Sequence, residues 1–191
     1  MRPVSLLAAA TLLAGSLASP AGAGSRFKTL GTDPSGDGPP ALDVTYLKVG
    51  PGGVLTADGR KEGLEIRIGI DKMLPEMGGF PDLPGIEWVF EVNKRVFIAE
   101  AVAGRTPRFF LFELIDGEFN QLESPAGTYD AADGFVRIAV PLEWIGAEPG
   151  DVIKGTTYEG GSEGDVDAHI HVGPQTHFPD WMKTTKSYVV R

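Results

Sequence analysis

The chain has 191 residues, with 26 acidic against 17 basic side chains, a net charge of −9 and no cysteine. That balance argues against nucleic acid and anionic lipid as partners, since both need positive potential. Without cysteine, stability in an oxidising compartment has to come from packing and metal rather than from disulfides.

Taken in chain order, residues 1–23 read as a signal peptide. Arg2 supplies the positive end, Val4 to Leu17 an apolar run, and Ala21-Gly22-Ala23 the small residues of a cleavage site. The apolar run is too short to span about 30 Å of hydrocarbon. With no cysteine there is no lipobox, and no second apolar segment offers a membrane anchor. The expected location is secreted or periplasmic, with residues 24–191 forming a single domain.

Beyond the leader, short apolar runs alternate with turn residues. Leu42 to Val49 reads as the first strand. In Gly63 to Ile70, Leu64, Ile66, Ile68 and Ile70 face one way and Glu65 and Arg67 the other. Ile86, Trp88, Phe90 and Val92 repeat that alternation, which marks Trp88 as core. Asn93-Lys94 is a two-residue hairpin turn into Arg95 to Ala103, and Asp116-Gly117 a stronger one between Arg108 to Ile115 and Glu118 to Leu122. Arg108 to Ile115 is apolar on both faces, so Phe109 to Phe112 is expected to be covered on both sides. Thr128-Tyr129 and Phe135 to Val140 flank the turn Ala131 to Gly134. Pro141 to Gly146 reads as one helical turn, with Trp144 capping an end, and Val152 to Glu159 and Ser187 to Val190 close the set. About nine strands joined mostly by short turns predict an all-β, antiparallel β-sandwich of jelly-roll or immunoglobulin-like kind. The 26 glycines and 15 prolines suit such a turn-rich domain. Asp71 to Gly85, Gln121 to Gly127 and Gly160 to Lys186 are left as long loops.

Several segments together carry a family resemblance. Asp33-Pro-Ser-Gly-Asp37 runs into Leu42-Asp43-Val44-Thr45, and Gly63 to Ile70 follows as a second strand. Val140-Pro-Leu-Glu-Trp-Ile-Gly146 leads into Pro149-Gly150-Asp151, and Asp180 to Val190, ending Lys186-Ser-Tyr-Val-Val190, closes the chain. In order and spacing these resemble the DOMON-like, glucodextranase-type and family-9-like carbohydrate-binding β-sandwiches of secreted bacterial proteins. The resemblance implies a sandwich fold and a role in binding saccharides or other small extracellular ligands. After the opening turn, Gly38-Pro-Pro-Ala41 is a shorter connection than the glucodextranase-type pattern has.

Two stretches carry ligand chemistry. Asp33 and Asp37, with Asp43, offer hard oxygens for Ca2+, or else form a turn in which Asp33 bonds nearby backbone N–H groups. The short exit from that turn favours a strand-entry turn and shifts the densest chemistry to the far end. There Glu163, Asp165 and Asp167 are followed by His169, His171 and His177, all three histidines of the chain, and by Asp180. If the segment is extended, Asp165, Asp167, His169 and His171 share a face, and the two imidazoles can take Zn2+ or Cu2+. The acidic members can instead wrap Ca2+, or the segment is a solvated loop. Trp181 and Phe178, with Tyr158, are the aromatic candidates for stacking on a sugar ring.

Catalytic motifs are not found: neither a Gly-x-Ser-x-Gly elbow nor a His-Glu-x-x-His helix occurs. Haem b is a further alternative, because some DOMON-type domains bind it through Met and His. Met73, Met77 and Met182 with His171 or His177 are the residues available. The expectation is a non-enzymatic, monomeric, secreted module that binds a saccharide or other small molecule with structural Ca2+. The alternative is an extracytoplasmic metal- or haem-binding protein.

Overall fold

The chain is an antiparallel β-sandwich. A computed structural model describes residues 26–37, 42–56, 59–73, 85–104, 106–156, 168–171 and 180–191. One sheet contains β1 (Lys28–Thr32), β2 (Val44–Thr56), β3 (Gly59–Ile70), β8 (Ala126–Asp130) and β9 (Phe135–Pro141), in the order β1-β2-β3-β9-β8. The second contains β4 (Gly85–Val92), β5 (Arg95–Val102), β6 (Arg108–Ile115), β7 (Glu118–Gln121), β11 (Ala168–His171) and β12 (Asp180–Met182), in the order β12-β11-β4-β5-β6-β7. From this path β10 (Val152–Gly155) branches, pairing with β4 on one side and with β13 (Ser187–Val189) on the other. The one helix among the described residues is α1 (Leu142–Ile145). None of the described helices is long and apolar enough to cross a membrane.

Period-two patterning explains the layering. Leu64, Ile66 and Ile68 of β3 lie beside Val140, Ile138 and Val136 of β9, and all six are fully buried. Opposite them, Trp88 and Phe90 of β4 stack with ring centroids 4.7 Å apart, and Phe97 of β5 extends the stack at 5.6 Å. The sheets meet where β11 and β12 lie over β2, β5 over β9 and β6 over β8. Burying each large side chain removes apolar area worth about 1.5–3 kcal/mol, and these residues form one contiguous core.

The turns follow their sequence signals. Asn93 (φ 53°) and Lys94 (φ 63°) join β4 to β5, and Asp116 (φ 53°) and Gly117 (φ 82°) join β6 to β7. Left-handed backbone at the central residues matches the right-handed twist of the flanking strands. Helix α1 stops at Gly146, left-handed at φ 61°, whose N–H reaches back to the Glu143 carbonyl.

Several expectations need correction. There are thirteen strands among the described residues, not about nine. Strand β1 has few apolar residues and was not expected. β2 does not stop at Val49 but stays paired through Gly50-Pro51-Gly52-Gly53 to Thr56. Those glycines resemble a loop, yet a Cβ on Gly50 would come within 2.8 Å of the Phe27 ring, and one on Gly53 would strike the Arg60 side chain, so close packing favours glycine there. The stretch from Gly160 to Lys186 is not a loop throughout, since it contains β11 and β12. Finally, β6 is not covered on both sides: Leu111 alone of its residues is buried, and Phe109, Phe110 and Phe112 are half-buried. Phe110, Phe112 and Phe119 of β7 form an aromatic row, at centroid separations of 5.9 and 6.5 Å. The reason is position in the sheet, one strand from the β7 edge. The loop expected over Gln121 to Gly127 is shorter, confined to residues 122–125, since Gln121 ends β7 and Ala126 and Gly127 begin β8.

Candidate metal centre

Two distant parts of the chain, the opening turn with the entry of β2 and the start of β12, converge at one end of the sandwich. Asp33 leaves β1 and its N–H donates to the Thr45 carbonyl at 3.0 Å. Pro34-Ser35-Gly36-Asp37 then turns the chain, with Gly36 at φ 105°, a conformation open to glycine. The Gly36 N–H donates to Asp43 Oδ2 at 2.5 Å, which ties the turn to the entry of β2. One residue on, the Val44 N–H donates to Oδ2 of Asp180, the first residue of β12, also at 2.5 Å. The opening turn and a residue from the far end of the chain thus share one site.

Asp33, Asp37, Asp43 and Asp180 each present a carboxylate oxygen within 4.8 Å of the others. Asp43 is fully buried and Asp180 is 6 % exposed, whereas Asp33 is half-buried and Asp37 exposed. The cluster therefore has a buried floor and an open mouth. Two carboxylates at that separation repel by about 3 kcal/mol at an effective dielectric of 20. No ion pair to Asp33, Asp37 or Asp43 occurs among the described residues. The strain registers on Asp33, whose carboxyl is pushed up to about 6, first by burial and then by Asp37, Asp180 and Asp43.

Asp43 Oδ1 and Asp33 Oδ2 are buried without a hydrogen-bond partner, as are Trp88 Nε1 and Tyr129 Oη elsewhere among the described residues. A buried polar atom left unpaired costs about 1–3 kcal/mol, more when charged. Two such oxygens inside a four-carboxylate cluster are what a bound cation would satisfy. The donor set is all oxygen, suited to Ca2+, Mg2+ or Mn2+ and not to the softer Zn2+ or Cu2+. Oxygens no more than 4.8 Å apart fit on one sphere of about 2.4 Å radius, the Ca–O distance.

Beside the cluster lies an open cleft of about 480 Å³. Asp33 belongs to both, and Ser35, Thr45, Tyr46, Asp71, Lys72 and Asp133 supply the cleft's other polar walls. Tyr46 lies flat on Gly69, where any side chain would strike its ring, and the Lys48 ammonium sits 4.3 Å from the ring centroid. Burial raises the Tyr46 phenol above its ordinary value, with Asp133 acting in the same direction and Arg67 against it. Asp133 stands on the turn between β8 and β9, which is closed by a 3.0 Å bond from its N–H to Asp130 Oδ1.

Of the residues singled out from sequence, Asp33 and Asp37 fall in the cluster with Asp43. Asp180 completes it, but nothing local in the sequence ties Asp180 to the opening turn. His169 and His171 lie on β11, where His169 is in register with Glu87 of β4 and Trp181 of β12. Tyr158, Asp165, Asp167, His177 and Phe178 are outside the described residues, as are Glu163 and Met77. Met73 and Met182 pack in the core, as does Trp88, and Trp144 packs against it from α1.

No protein-family model matches the chain, and neither a curated protein nor a solved structure matches it.

Proposed function

We propose that this chain is a secreted, non-catalytic β-sandwich module for a saccharide or similar small extracellular ligand, stabilised by Ca2+ bound at Asp33, Asp37, Asp43 and Asp180. The observation that carries the metal reading is the fully buried Asp43, whose Oδ1 has no hydrogen-bond partner and which sits among three further carboxylates. A protein gains nothing by burying that oxygen unless a cation or a donor meets it.

The position of the ion gives it a structural task. Asp33 and Asp37 lie between β1 and β2, Asp43 enters β2, and Asp180 starts β12 in the opposite sheet. One cation would staple the two sheets and both ends of the domain, in a chain with no cysteine. Closing a long loop with a metal clip is entropically most effective when the clipped residues are far apart in sequence. The resemblance to DOMON-like and carbohydrate-binding sandwiches supports the binding role, since its opening Asp-Pro-x-Gly-Asp turn lies at this cluster. The leader-like segment 1–23 supports export to a compartment where free Ca2+ is plentiful.

Isothermal titration of the chelator-treated protein tests the metal reading. One Ca2+ per chain is expected, with an accompanying rise in melting temperature. Heats indistinguishable from dilution at millimolar Ca2+ would remove it.

A further inference from the structure

We propose that the ion at the aspartate quartet is shared with the ligand: a neutral sugar in the Tyr46–Asp133 cleft coordinates it through two adjacent hydroxyls. This rests on the calcium reading above and extends it from a structural staple to the recognition device itself.

The argument begins with coordination number. Ca2+ takes about six to eight oxygens, and the four aspartates supply about four of them when each binds through one oxygen. Asp43 Oδ2 and Asp180 Oδ2 are already occupied by the N–H groups of Gly36 and Val44. Bidentate binding by those two residues is therefore disfavoured, and the remaining positions fall to oxygens from outside the quartet.

Direction comes next. Asp43 and Asp180 close the buried side, so the outside oxygens approach past Asp33 and Asp37. Asp33 is also a wall of the 480 Å³ cleft. A ligand in that cleft therefore meets the open face of the ion. The volume lies within the range typical of small-molecule sites.

The chemistry of the walls selects the class of ligand. Ser35 and Tyr46 present hydroxyls, Asp71 and Asp133 carboxylates, and Lys72 an ammonium. Sugar hydroxyls donate to carboxylates and accept from an ammonium, so each wall residue has a partner on a polyol. An anionic ligand would face Asp33, Asp71 and Asp133 against Lys72 alone. An apolar ligand would strand these polar groups at about 1–3 kcal/mol each. A vicinal diol carries no charge, brings two oxygens close together and matches a hard cation.

Two measurements on the full chain test the inference. In the first, Tb3+ replaces Ca2+, and luminescence lifetimes in H2O and D2O count the waters on the ion. At least about two waters are expected, the balance left when about four carboxylate oxygens meet six to eight positions. D-mannose, D-galactose, D-glucose and D-xylose are then added in turn, and at least one should lower that count. In the second, the same sugar should raise Ca2+ affinity by about fivefold or more, with Ca2+ raising the sugar's affinity equally, because coupling between two sites is reciprocal. Asp133→Asn and Tyr46→Phe should remove the sugar effect and keep the melting shift that Ca2+ produces. A lifetime showing no bound water, or four sugars that all leave Ca2+ affinity unchanged, overturns the inference while the structural calcium reading stands. A sugar that binds equally well in chelator also overturns it. Failure of Ca2+ to bind at all removes both.

Discussion

Replacing Asp43 with asparagine isolates the carboxylate charge from the shape of the site. The amide oxygen can still accept the Gly36 N–H that Asp43 Oδ2 accepts at 2.5 Å, so the turn keeps its anchor. The charge that repels Asp33, Asp37 and Asp180 is gone. In chelator the variant should therefore be at least as stable as the parent. Counting a single one of the three relieved pairs, at about 3 kcal/mol, and setting the burial of an amide against it leaves a net gain of at least roughly 1–2 kcal/mol. In Ca2+ the order reverses. A parent site holding the ion at about 100 times its Kd gains about 2.7 kcal/mol. For a domain of this size that corresponds to a rise of about 5–11 °C in melting temperature, at about 2–4 °C per kcal/mol. Thermal unfolding followed by circular dichroism, in 2 mM EDTA and in excess Ca2+ (about 100 times the measured Kd), should show the two melting curves exchanging order. A variant that loses the same stability in both buffers would refute the reasoning. Asp43 would then be a turn anchor whose charge has no cation to answer.

Three other outcomes follow from the same geometry. The metal-free protein should become more stable as pH falls from 7 towards 4. Asp33 titrates at about 6 when folded against an ordinary 3.8, so the folded state binds the extra proton in that window and stability rises as pH drops. The gain should be about 1 kcal/mol after discounting for solvent screening, and urea titrations of Asp33→Asn in EDTA should show that slope removed. Gly69→Ala should cost about 1–3 kcal/mol by denaturant melt, because the Tyr46 ring occupies the space its methyl needs. Trp88→Ala should cost about 3–5 kcal/mol and leave the Ca2+ stoichiometry of the surviving folded protein unchanged, since Trp88 is a core residue that takes no part in the hydrogen bonds holding the carboxylates.

Much of the fold was legible in the chain because its signals are local. The alternation of Leu64, Ile66 and Ile68 against Glu65 and Arg67 is a property of adjacent residues, and so is the left-handed demand of Asn93-Lys94. Glu65 also shows the limit of a simple rule. It points away from the core, yet it is 7 % exposed, held between Arg67 at 2.7 Å and Arg137 at 3.0 Å from the neighbouring strand. The end of β2 was set too early, at Val49, because the close neighbours of Gly50, Gly52 and Gly53, which are Phe27, Glu65 and Arg60, come from other segments of the chain. β11 and β12 were misread because pairing, of β11 with β4 and of β12 with β11, and not local alternation, makes them strands. The candidate site was half legible. Asp33, Asp37 and Asp43 stand out as carboxylates flanking a turn. Asp180 joins them only because β12 comes to lie over β2, a long-range pairing that no spacing in the sequence encodes.

The most direct test is a crystal grown in Ca2+, with a second soaked in Tb3+ to give an anomalous signal. The account predicts one peak equidistant from Asp33, Asp37, Asp43 and Asp180, with Ca–O distances of about 2.3–2.6 Å, and Asp43 Oδ1 among the ligands. Ordered carboxylates bonded only to backbone N–H groups and water, with no anomalous peak between them, would contradict it.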